Sequence, residues 1–504
     1  MRKSLSHSGV RALALLLGAV SLLPACKDDS ENVAINKTDV GIQALTDNNQ
    51  LLSLRTTALG GTATPVSITG LQANERILSI DYRPATGQLY GLGSTSRLYV
   101  INPSTGAARA IGSGAFTPAL SGTSASIDFN PTVDRVRVVS NTGQNLRLNP
   151  ETGAVQATDG TINGVAGATI SAVAYTNSVA GATSTVLYDI DPATDRLYRQ
   201  DPPNDGTLVA VGDLGVNATQ AGFDIAADGG KAFATLTVDS RAGLYEVDLT
   251  TGRATRYDNF ASGTNVVDIA IPTLPVAYGV DSDNNFVAFN PTSTQTPVTK
   301  AFTGLQSGER IVGLDMRPLN GQLYGLGSTN RLYTINTSSG AATAVSATPL
   351  ALTGSNFGFD FNPTVDRIRI ISETGVNLRV NPADGVAIVD GPLNPGTPAV
   401  TGAAYTNNFA GATSTVLYDL DSTTDQLYRQ DPPNNGTLVS VGALGVNVAA
   451  TNGFDIGSTS GTAYAVFTVG STSSVYTINL TTGAATKGVD MPKALQAMTL
   501  GLGF

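Results

Sequence analysis

The sequence predicts an all-β protein, and three observations lead to that prediction. The 55 glycines and 24 prolines are spread along the 504 residues rather than gathered in one segment. Short apolar stretches alternate with turns rich in Gly, Pro, Asn and Asp, which is typical of antiparallel meanders. Beyond the first 25 residues, no stretch keeps a helical period of useful length. Hydrophobic residues make up 41% and charged residues 13% of the chain, so we expect a packed apolar core rather than disorder.

The chain is a tandem duplication. The segment ERILSIDYRPATGQLYGLGSTSRLY at 75–99 returns as ERIVGLDMRPLNGQLYGLGSTNRLY at 309–333. Repetition at this scale indicates a repeat architecture, and it should be recognised before any other feature is interpreted. The sequence therefore predicts two repeat domains, at 38–272 and 273–504.

A finer repeat lies within each half. A short apolar strand, often ending in Asp, recurs about every 46 residues and gives ten repeats in all. A four-stranded meander at this spacing is the signature of a β-propeller blade. We predict two tandem five-bladed propellers, each closed by a late inner strand at 264–271 or 495–502. One ten-bladed ring is the alternative, because the chain could pass between the halves through an ordinary hairpin.

The N-terminus reads as an export signal. Residues 1–25 carry basic residues followed by an apolar run of twelve, too short to span a bilayer. The next motif, Leu23-Pro24-Ala25-Cys26, resembles a bacterial lipobox, which predicts lipidation of Cys26 and stable attachment to a membrane. We therefore expect an exported protein that is lipid-anchored in the bacterial outer membrane.

An acidic tether is predicted at 26–37. Its start, Lys27-Asp28-Asp29-Ser30-Glu31, resembles the surface-export signal of Bacteroidetes lipoproteins. A solvated tether that holds the acylated cysteine away from the fold would have the same composition. Exposure at the cell surface and a simple tether both remain open.

Composition excludes several kinds of chemistry. The single histidine is His7 and the single cysteine is Cys26, so the processed protein has no imidazole and no free thiol. Catalysis by Ser-His-Asp or Cys-His groups is excluded, as are His or Cys sites for zinc, copper or haem. The formal charge of −10 argues against nucleic acid as a partner.

The recurring aspartates are the candidate site. Inner strands line the axis of a propeller, so their carboxylates would converge there and repel one another unless a hard cation such as calcium, or a polyhydroxyl ligand, compensates. The favoured alternative is that each aspartate caps a strand or binds backbone amides of the neighbouring blade. The fourth blade has Ala174 and Ala404 at this position, which weakens a symmetrical cation site. The candidates are Asp81, Asp128, Asp224, Asp268, Asp315, Asp360 and Asp455.

Two arginines alternate with aliphatic residues in each half. Arg135 and Arg137 share one face of a strand because side chains two residues apart point the same way. An anionic ligand is one use for them. The favoured prediction is that they, and their second-half counterparts, pair with Asp134 or Asp366 or with acids of an adjacent blade.

Both halves resemble the bacterial domain of unknown function 4394. The motif DFNPTVDR at 128–135 and 360–367 carries the resemblance, with Asn-Leu-Arg downstream at 145–147 and 377–379. The resemblance implies a β-propeller-like fold. Since that family has no assigned activity, it implies no catalytic residues.

Three classes of function remain. The first and favoured one is a non-catalytic binding or scaffolding lipoprotein with an unknown protein or glycan ligand. The second is a glycan-active enzyme that uses paired carboxylates, a chemistry that needs no histidine. The third is a structural envelope protein whose duplicated domains give bivalent attachment.

Overall fold

Ten four-stranded antiparallel β-sheets contain the forty strands of the described residues. The computed structural model describes residues 37–61, 63–227, 230–450 and 452–504. The predicted signal peptide, Cys26 and the tether up to residue 36 lie outside the described residues. In the described part of the chain the one helical segment is a 3-10 turn at Pro433–Asn435, and no helix there has the length and hydropathy of a membrane span. The all-β prediction is confirmed.

The first half of the chain supplies strands β1 to β20. These are β1 (Gly41–Thr46), β2 (Gln50–Arg55), β3 (Val66–Ser67), β4 (Ile77–Tyr82), β5 (Leu89–Gly93), β6 (Arg97–Ile101), β7 (Ala108–Ile111), β8 (Ala125–Asn130), β9 (Arg135–Ser140), β10 (Asn145–Leu148), β11 (Val155–Thr158), β12 (Ala172–Tyr175), β13 (Leu187–Asp191), β14 (Arg196–Gln200), β15 (Leu208–Asp213), β16 (Ala221–Ile225), β17 (Ala232–Val238), β18 (Arg241–Val247), β19 (Ala254–Asn259) and β20 (Val266–Ala270).

The second half supplies strands β21 to β40. These are β21 (Ala277–Asp281), β22 (Asn285–Phe289), β23 (Val298–Ala301), β24 (Ile311–Met316), β25 (Leu323–Gly327), β26 (Leu332–Ile335), β27 (Ala342–Ala344), β28 (Phe357–Asn362), β29 (Arg367–Ser372), β30 (Asn377–Val380), β31 (Ala387–Val389), β32 (Val400–Tyr405), β33 (Leu417–Asp421), β34 (Gln426–Gln430), β35 (Leu438–Ala443), β36 (Gly453–Ile456), β37 (Ala463–Val469), β38 (Thr472–Ile478), β39 (Ala485–Asp490) and β40 (Leu495–Leu500).

The sheet order shows two closed rings of five blades. In the first ring, β20 returns to pair antiparallel with β1, so the first blade has the order β20-β1-β2-β3 and the other four blades are consecutive meanders. The second ring repeats this plan, with β40 paired to β21. Inner strands contact around each ring in turn, from β4 through β8, β12, β16 and β20 back to β4. The prediction of two five-bladed propellers is confirmed, and the ten-bladed alternative is wrong.

The apolar core lies between neighbouring blades. Consecutive residues of inner strands such as β8 and β16 are buried, because both faces of a blade pack against neighbouring sheets. Tyr90 on β5 meets Phe129 on β8 edge to face, with ring centroids 5.0 Å apart. Tyr324 and Phe361 repeat the contact in the second ring at 5.2 Å. Each blade is thus stabilised mainly by its two neighbours.

The two rings touch through polar groups of buried turns. The guanidinium of Arg83 in the first ring donates to the carbonyl oxygen of Gly321 in the second at 3.4 Å. The Thr337 hydroxyl donates to Asp134 at 3.2 Å, and the Tyr278 hydroxyl donates to the carbonyl oxygen of Ala85 at 2.9 Å. These contacts join the rings into one unit that extends from residue 37 to residue 504.

Candidate functional site

Three aspartates converge at the axis of each ring. Asp81, Asp128 and Asp224 come from β4, β8 and β16, and each offers a carboxylate oxygen within 4.8 Å of those of the other two. All three side chains are buried. The second ring forms the same group from β24, β28 and β36, namely Asp315, Asp360 and Asp455. We call each group an axial carboxyl cluster.

The carboxylates of the first cluster bind backbone amides of the next blade. Each accepts one hydrogen bond across the blade boundary, so the cluster connects successive inner strands. The bonds are Phe129 N to Asp81 Oδ2 at 2.7 Å, Tyr175 N to Asp128 Oδ1 at 3.1 Å, and Ile271 N to Asp224 Oδ2 at 2.5 Å. Hydrogen bonds of this kind, from backbone amides of one blade to a carboxylate of the preceding blade, are the alternative that the sequence favoured.

The three carboxyls differ in how fully they are used. In Asp81 and Asp224 the second oxygen accepts the amide of the following residue, at 2.7 and 2.6 Å. For Asp128 we find one amide donor among the described residues, Tyr175. Asp128 therefore keeps one carboxylate oxygen that is not bonded to an amide, and Asp360 is its counterpart in the second ring, with Tyr405 as the donor at 3.1 Å.

Asp268 does not join the cluster, although the sequence pattern placed it there. Asp268 lies opposite Leu45, and Leu45 precedes Asn49 by four residues. In the second ring the corresponding position is occupied by Ala497, which lies opposite Val280. Asp268 is thus two residues away from the carboxyl layer, and its Oδ2 accepts the Ile80 amide at 2.9 Å. Ala270 stands at the level of the cluster instead.

Asp268 belongs to a second layer of hydrogen bonds between neighbouring inner strands of the first ring. In this layer the Ser79 hydroxyl oxygen accepts the Ile127 amide at 3.0 Å, and the Ser126 hydroxyl oxygen accepts the Val173 amide at 3.1 Å. Each of these serines precedes a cluster aspartate by two residues, so both side chains point to the same face of the strand. The inner strands of the first ring are therefore joined at two levels.

The second ring carries a hydroxyl where the first has Ala270. Thr499 lies at the level of the cluster, and its Oγ1 is 2.9 Å from Asp315 Oδ1 and 3.0 Å from Asp455 Oδ2. A threonine hydroxyl can donate one hydrogen bond, so it relieves the repulsion between these two carboxylates. The second cluster is better compensated than the first.

Replacing Thr499 tests this compensation. We expect Thr499→Val, which keeps the shape and removes the donor, to lower the free energy of unfolding at pH 8 by about 1–3 kcal/mol, the range for a hydrogen bond to a charged group. Urea denaturation measures the change, and Thr499→Ser serves as the control because it keeps the hydroxyl. A valine variant as stable as the wild type at pH 8 would contradict the role given to the hydroxyl.

Burial and mutual repulsion raise the pKa values of the cluster carboxyls. For Asp128 the larger cause is burial, followed by the charges of Asp81 and Asp224, and its pKa lies well above the usual range. Asp81, Asp315 and Asp360 are raised in the same way. Burial raises the pKa of Asp224 to about 7 and that of Asp455 to about 6. Hydrogen bonds from backbone amides oppose this increase at both residues. The clusters therefore retain protons at neutral pH.

The axis of the second ring is narrow. A cavity of about 10 Å³ lies there, lined by residues such as Gly313, Gly358, Gly402 and Gly453. This volume is about that needed by one water molecule. The three carboxylate oxygens of the neighbouring axial carboxyl cluster fit the ligand preference of a hard cation such as calcium. An organic substrate does not fit in this space.

The paired arginines have other partners than predicted. Arg137 is buried and its Nη1 donates to Asp159 at 2.5 Å, and its Nη2 donates to Asn204 of the next blade at 2.7 Å. Arg369 repeats this with Asp390 at 2.6 Å. Asp134 is bound by Arg83 of the preceding blade instead, at 2.5 Å. Of the predicted partners, the Asp134 carboxylate does not bind Arg137, because β9 directs this side chain toward the following blade, whereas Nη1 of Arg135 donates to the backbone carbonyl oxygen of Asp134 at 2.7 Å.

A buried carboxyl in the fourth blade of each ring was not predicted from the sequence. Asp189 on β13 and Asp419 on β33 are fully buried, and neither accepts a hydrogen bond within the described residues. A signal was present, since the segments LYDID and LYDLD place an acid inside an apolar strand. The duplication repeats this feature in both halves.

Comparison with known proteins places the chain in a family. The sequence profile described as Domain of unknown function (DUF4394) matches residues 50–270 and 285–501. The chain belongs to this family. Each matched region lies within one five-bladed ring, so the family unit corresponds to a ring. None of the curated proteins matches the chain.

Solved structures match at low similarity. PorZ, a bacterial surface component of the type IX secretion system of Porphyromonas gingivalis, is 11% identical with a TM-score of 0.26, and the match covers 90% of this chain and 60% of PorZ. The extracellular domain of BT4673 from B. thetaiotaomicron is 13% identical with a TM-score of 0.25, covering 89% and 58%. The chain thus spans about three fifths of the length of either protein. At these scores we draw no functional conclusion from them.

Proposed function

We propose that this protein is an exported, lipid-anchored binding or scaffolding protein that performs no catalysis. The observation that carries the proposal is the use made of the axial aspartates. They are the carboxylates that the topology brings together, yet they are buried and hydrogen-bonded to amides of the next blade. Groups committed in this way stabilise the rings, so a ligand would bind to the outer loops.

The cluster geometry does not favour a glycan-active enzyme. Carboxyl groups that cleave a glycosidic bond flank the sugar at a separation of roughly 5–10 Å. The axial oxygens lie within 4.8 Å of one another, and the cavity beside the second cluster holds about 10 Å³. A sugar ring does not fit in that cavity of the second ring, and the carboxyls of both clusters are buried.

Catalysis is tested directly with the axial variants. Purified full-length protein is incubated with a panel of bacterial envelope polysaccharides, and the release of reducing ends is measured. We expect no turnover from the wild type. Turnover that is lost in the double variant Asp128→Asn/Asp360→Asn and retained in Thr499→Ser would overturn the proposal and assign the axis a catalytic role.

Anchoring rests on the lipobox and on Cys26. We expect radiolabelled palmitate to be incorporated by the wild type in a Gram-negative host and the protein to sediment with the outer membrane. Cys26→Ser is expected to lose the label completely and to appear in the soluble periplasmic fraction, because acylation requires the thiol. An unlabelled wild type, or a labelled serine variant, would show that Cys26 is not the anchor.

Exposure at the surface is a separate question that the same cells answer. Protease added to intact cells cleaves a protein that faces outward and spares one that faces the periplasm. We expect cleavage if Lys27-Asp28-Asp29-Ser30-Glu31 acts as an export signal. Neutralising its acidic residues with Asn and Gln should then restore protection without changing palmitate incorporation.

A further inference from the structure

A buried carboxyl lies between the third and fourth blades of each ring. Asp189 on β13 pairs with Val173 on one side and Tyr198 on the other, both apolar neighbours in the interior. Neither oxygen of Asp189 finds a donor within the described residues, and the same holds for Asp419 in the second ring. An isolated buried carboxyl costs several kcal/mol unless it is compensated. Two copies of such a group need an explanation.

The guanidinium of the preceding blade is an opposite charge that acts on this carboxyl. Burial raises the pKa of Asp189 well above its usual range, and the charge of Arg137 opposes that increase. Arg369 acts on Asp419 in the same manner. Hydrogen bonds place the guanidinium near the Asp189 carboxyl as well, because Arg137 donates to Asn145, and Asn145 and Gln200 both donate to the carbonyl oxygen of Pro203. No direct hydrogen bond joins Asp189 to Arg137 in the described residues.

Within the described residues, the arginine retains one unused donor. A guanidinium has five N–H groups. In the first ring, Arg137 uses four of them, on Tyr175 at 3.3 Å, Asn145 at 2.8 Å, Asp159 at 2.5 Å and Asn204 at 2.7 Å. Arg369 makes the four equivalent bonds, to Tyr405, Asn377, Asp390 and Asn434. One N–H of each guanidinium is left to bind an acceptor.

A third unpaired group lies on the same face. Gln200 on β14 is opposite Leu187, next to the Asp189–Tyr198 pair, so it is a diagonal neighbour of Asp189. Its Nε2 donates to the carbonyl oxygen of Pro203 at 2.5 Å, while its Oε1 is buried and finds no donor within the described residues. Gln430 has the same arrangement in the second ring.

We propose that each of these positions binds one buried water molecule, which links Asp189 to Arg137 in the first ring and Asp419 to Arg369 in the second. Water accepts the remaining guanidinium N–H and donates two hydrogen bonds to carboxylate or amide oxygens. Buried waters typically make about three such bonds to groups that are otherwise unpaired. The water would therefore connect the third blade to the fourth at the same place in both rings.

The combination of groups selects water over a metal cation. A cation satisfies carboxylate and amide oxygens, but it cannot accept a hydrogen bond from an N–H group. It would also be repelled by the guanidinium, which bears a full positive charge. A neutral Asp189 that donates its own proton to Gln200 Oε1 would leave the last N–H of Arg137 without an acceptor.

A high-resolution crystal structure of the full wild-type chain tests the proposal. We expect one ordered water in each ring, about 2.7–3.2 Å from an aspartate oxygen and from a guanidinium nitrogen. A direct ion pair between Asp189 and Arg137 would overturn the proposal. So would a carboxyl bonded directly to Gln200 with no water, or an anomalous signal at the position in crystals soaked in rubidium chloride.

The duplication supplies an internal control. We expect Asp189→Leu to remove the water from the first ring only, because leucine has the same branched shape, is larger and is apolar, and we expect the Asp419 water to remain. A water that persists beside Leu at this position would contradict the assignment to the carboxylate. If the variant does not fold, the wild-type structure still decides the question.

Discussion

Replacing Arg83 by alanine is expected to lower the free energy of unfolding by about 3–5 kcal/mol, the usual cost of removing one partner from a buried ion pair. Arg83 is 0% exposed, and its Nε and Nη2 hold Asp134 at 2.9 and 2.5 Å. Its Nη2 also binds Glu151 at 3.0 Å. The variant would leave the carboxylates of Asp134 and Glu151 without the guanidinium that compensates their charge at the contact between the rings. Urea denaturation at neutral pH measures the loss.

The second ring offers the matched control. Arg317 binds Asp366 with the same geometry, at 2.8 and 2.5 Å, but the two side chains are 17% and 32% exposed. Ala383 stands where the first ring has Glu151. Because water can solvate the remaining carboxylate, we expect Arg317→Ala to cost roughly 1 kcal/mol. Equal losses for the two variants would show that burial at the ring contact does not set the strength of the Arg83 pair.

Stability is expected to fall as the pH rises from 4 to 8, because the axial carboxyl clusters must lose protons. Their pKa values in the folded state lie above the unfolded value of about 3.9, as for Asp224 at about 7 and Asp455 at about 6. A raised pKa means that the folded state binds protons more tightly, so the contribution is complete below pH 4 and is lost as pH passes the folded pKa. For Asp224 alone the change corresponds to about 4 kcal/mol.

Asparagine variants separate the clusters from other titrating groups. Asp128 and Asp360 each use one oxygen for an amide, so an Asn amide keeps that bond and its NH2 donates to the neighbouring carboxylates. We expect Asp128→Asn/Asp360→Asn to reduce the difference in unfolding midpoint between pH 5 and pH 8. Asp81→Asn is the contrasting variant. Both of its oxygens accept amides, so its NH2 would face a donor and destabilise the fold at either pH.

Calcium can be examined in the same experiment. A hard cation held by three carboxylates would replace the lost protons at pH 8. If the clusters bind calcium, millimolar calcium chloride should raise the unfolding midpoint of the wild type at pH 8 and leave Asp128→Asn/Asp360→Asn unchanged. If calcium does not change the unfolding midpoint of the wild type, the aspartates retain protons and bind amides of the next blade but hold no cation. A pH-independent midpoint without calcium would contradict the raised pKa values.

The ring architecture could be predicted because its signals are local and repeated. The turns of each blade contain Gly or Asn at fixed positions, and two of the asparagines, Asn49 and Asn284, have φ values of 58° and 64° in the hairpins that start the rings. Such positions disfavour most other residues. The number of rings depended on whether the late strand at 264–271 pairs with the start of its own half or runs on into the second half, and the sequence left both arrangements open.

The level of Asp268 could not be predicted from spacing. A shift of two residues along a strand leaves a side chain on the same face, so the apolar pattern is identical for Asp268 and for a residue at the level of Ala270. The level follows from the pairing of β20 with β1, in which Asp268 lies opposite Leu45 and Ala270 lies opposite Gln43. This pairing is visible only when both strands are placed.

The buried groups around Arg137 required knowledge of contacts between blades. Its partners Asn145 and Asp159 lie on its own blade, whereas Tyr175 and Asn204 come from the next. The sequence showed only that the arginine alternates with aliphatic residues. Which face of the strand meets the following blade is decided by the ring, and no local pattern reports it.

The way each ring closes has a consequence for how the chain folds if it is exported as we propose. The strand Gly41–Thr46 can complete its pairing only after Val266–Ala270 is present. Val266–Ala270 is the last strand of its half to emerge if the N-terminus crosses the membrane first. Bringing such distant segments together costs roughly 5 kcal/mol in loop entropy, and until then a strand edge stays open to wrong partners. Because Leu495–Leu500 closes the second half separately, the first half can mature while the rest of the polypeptide is still in transit.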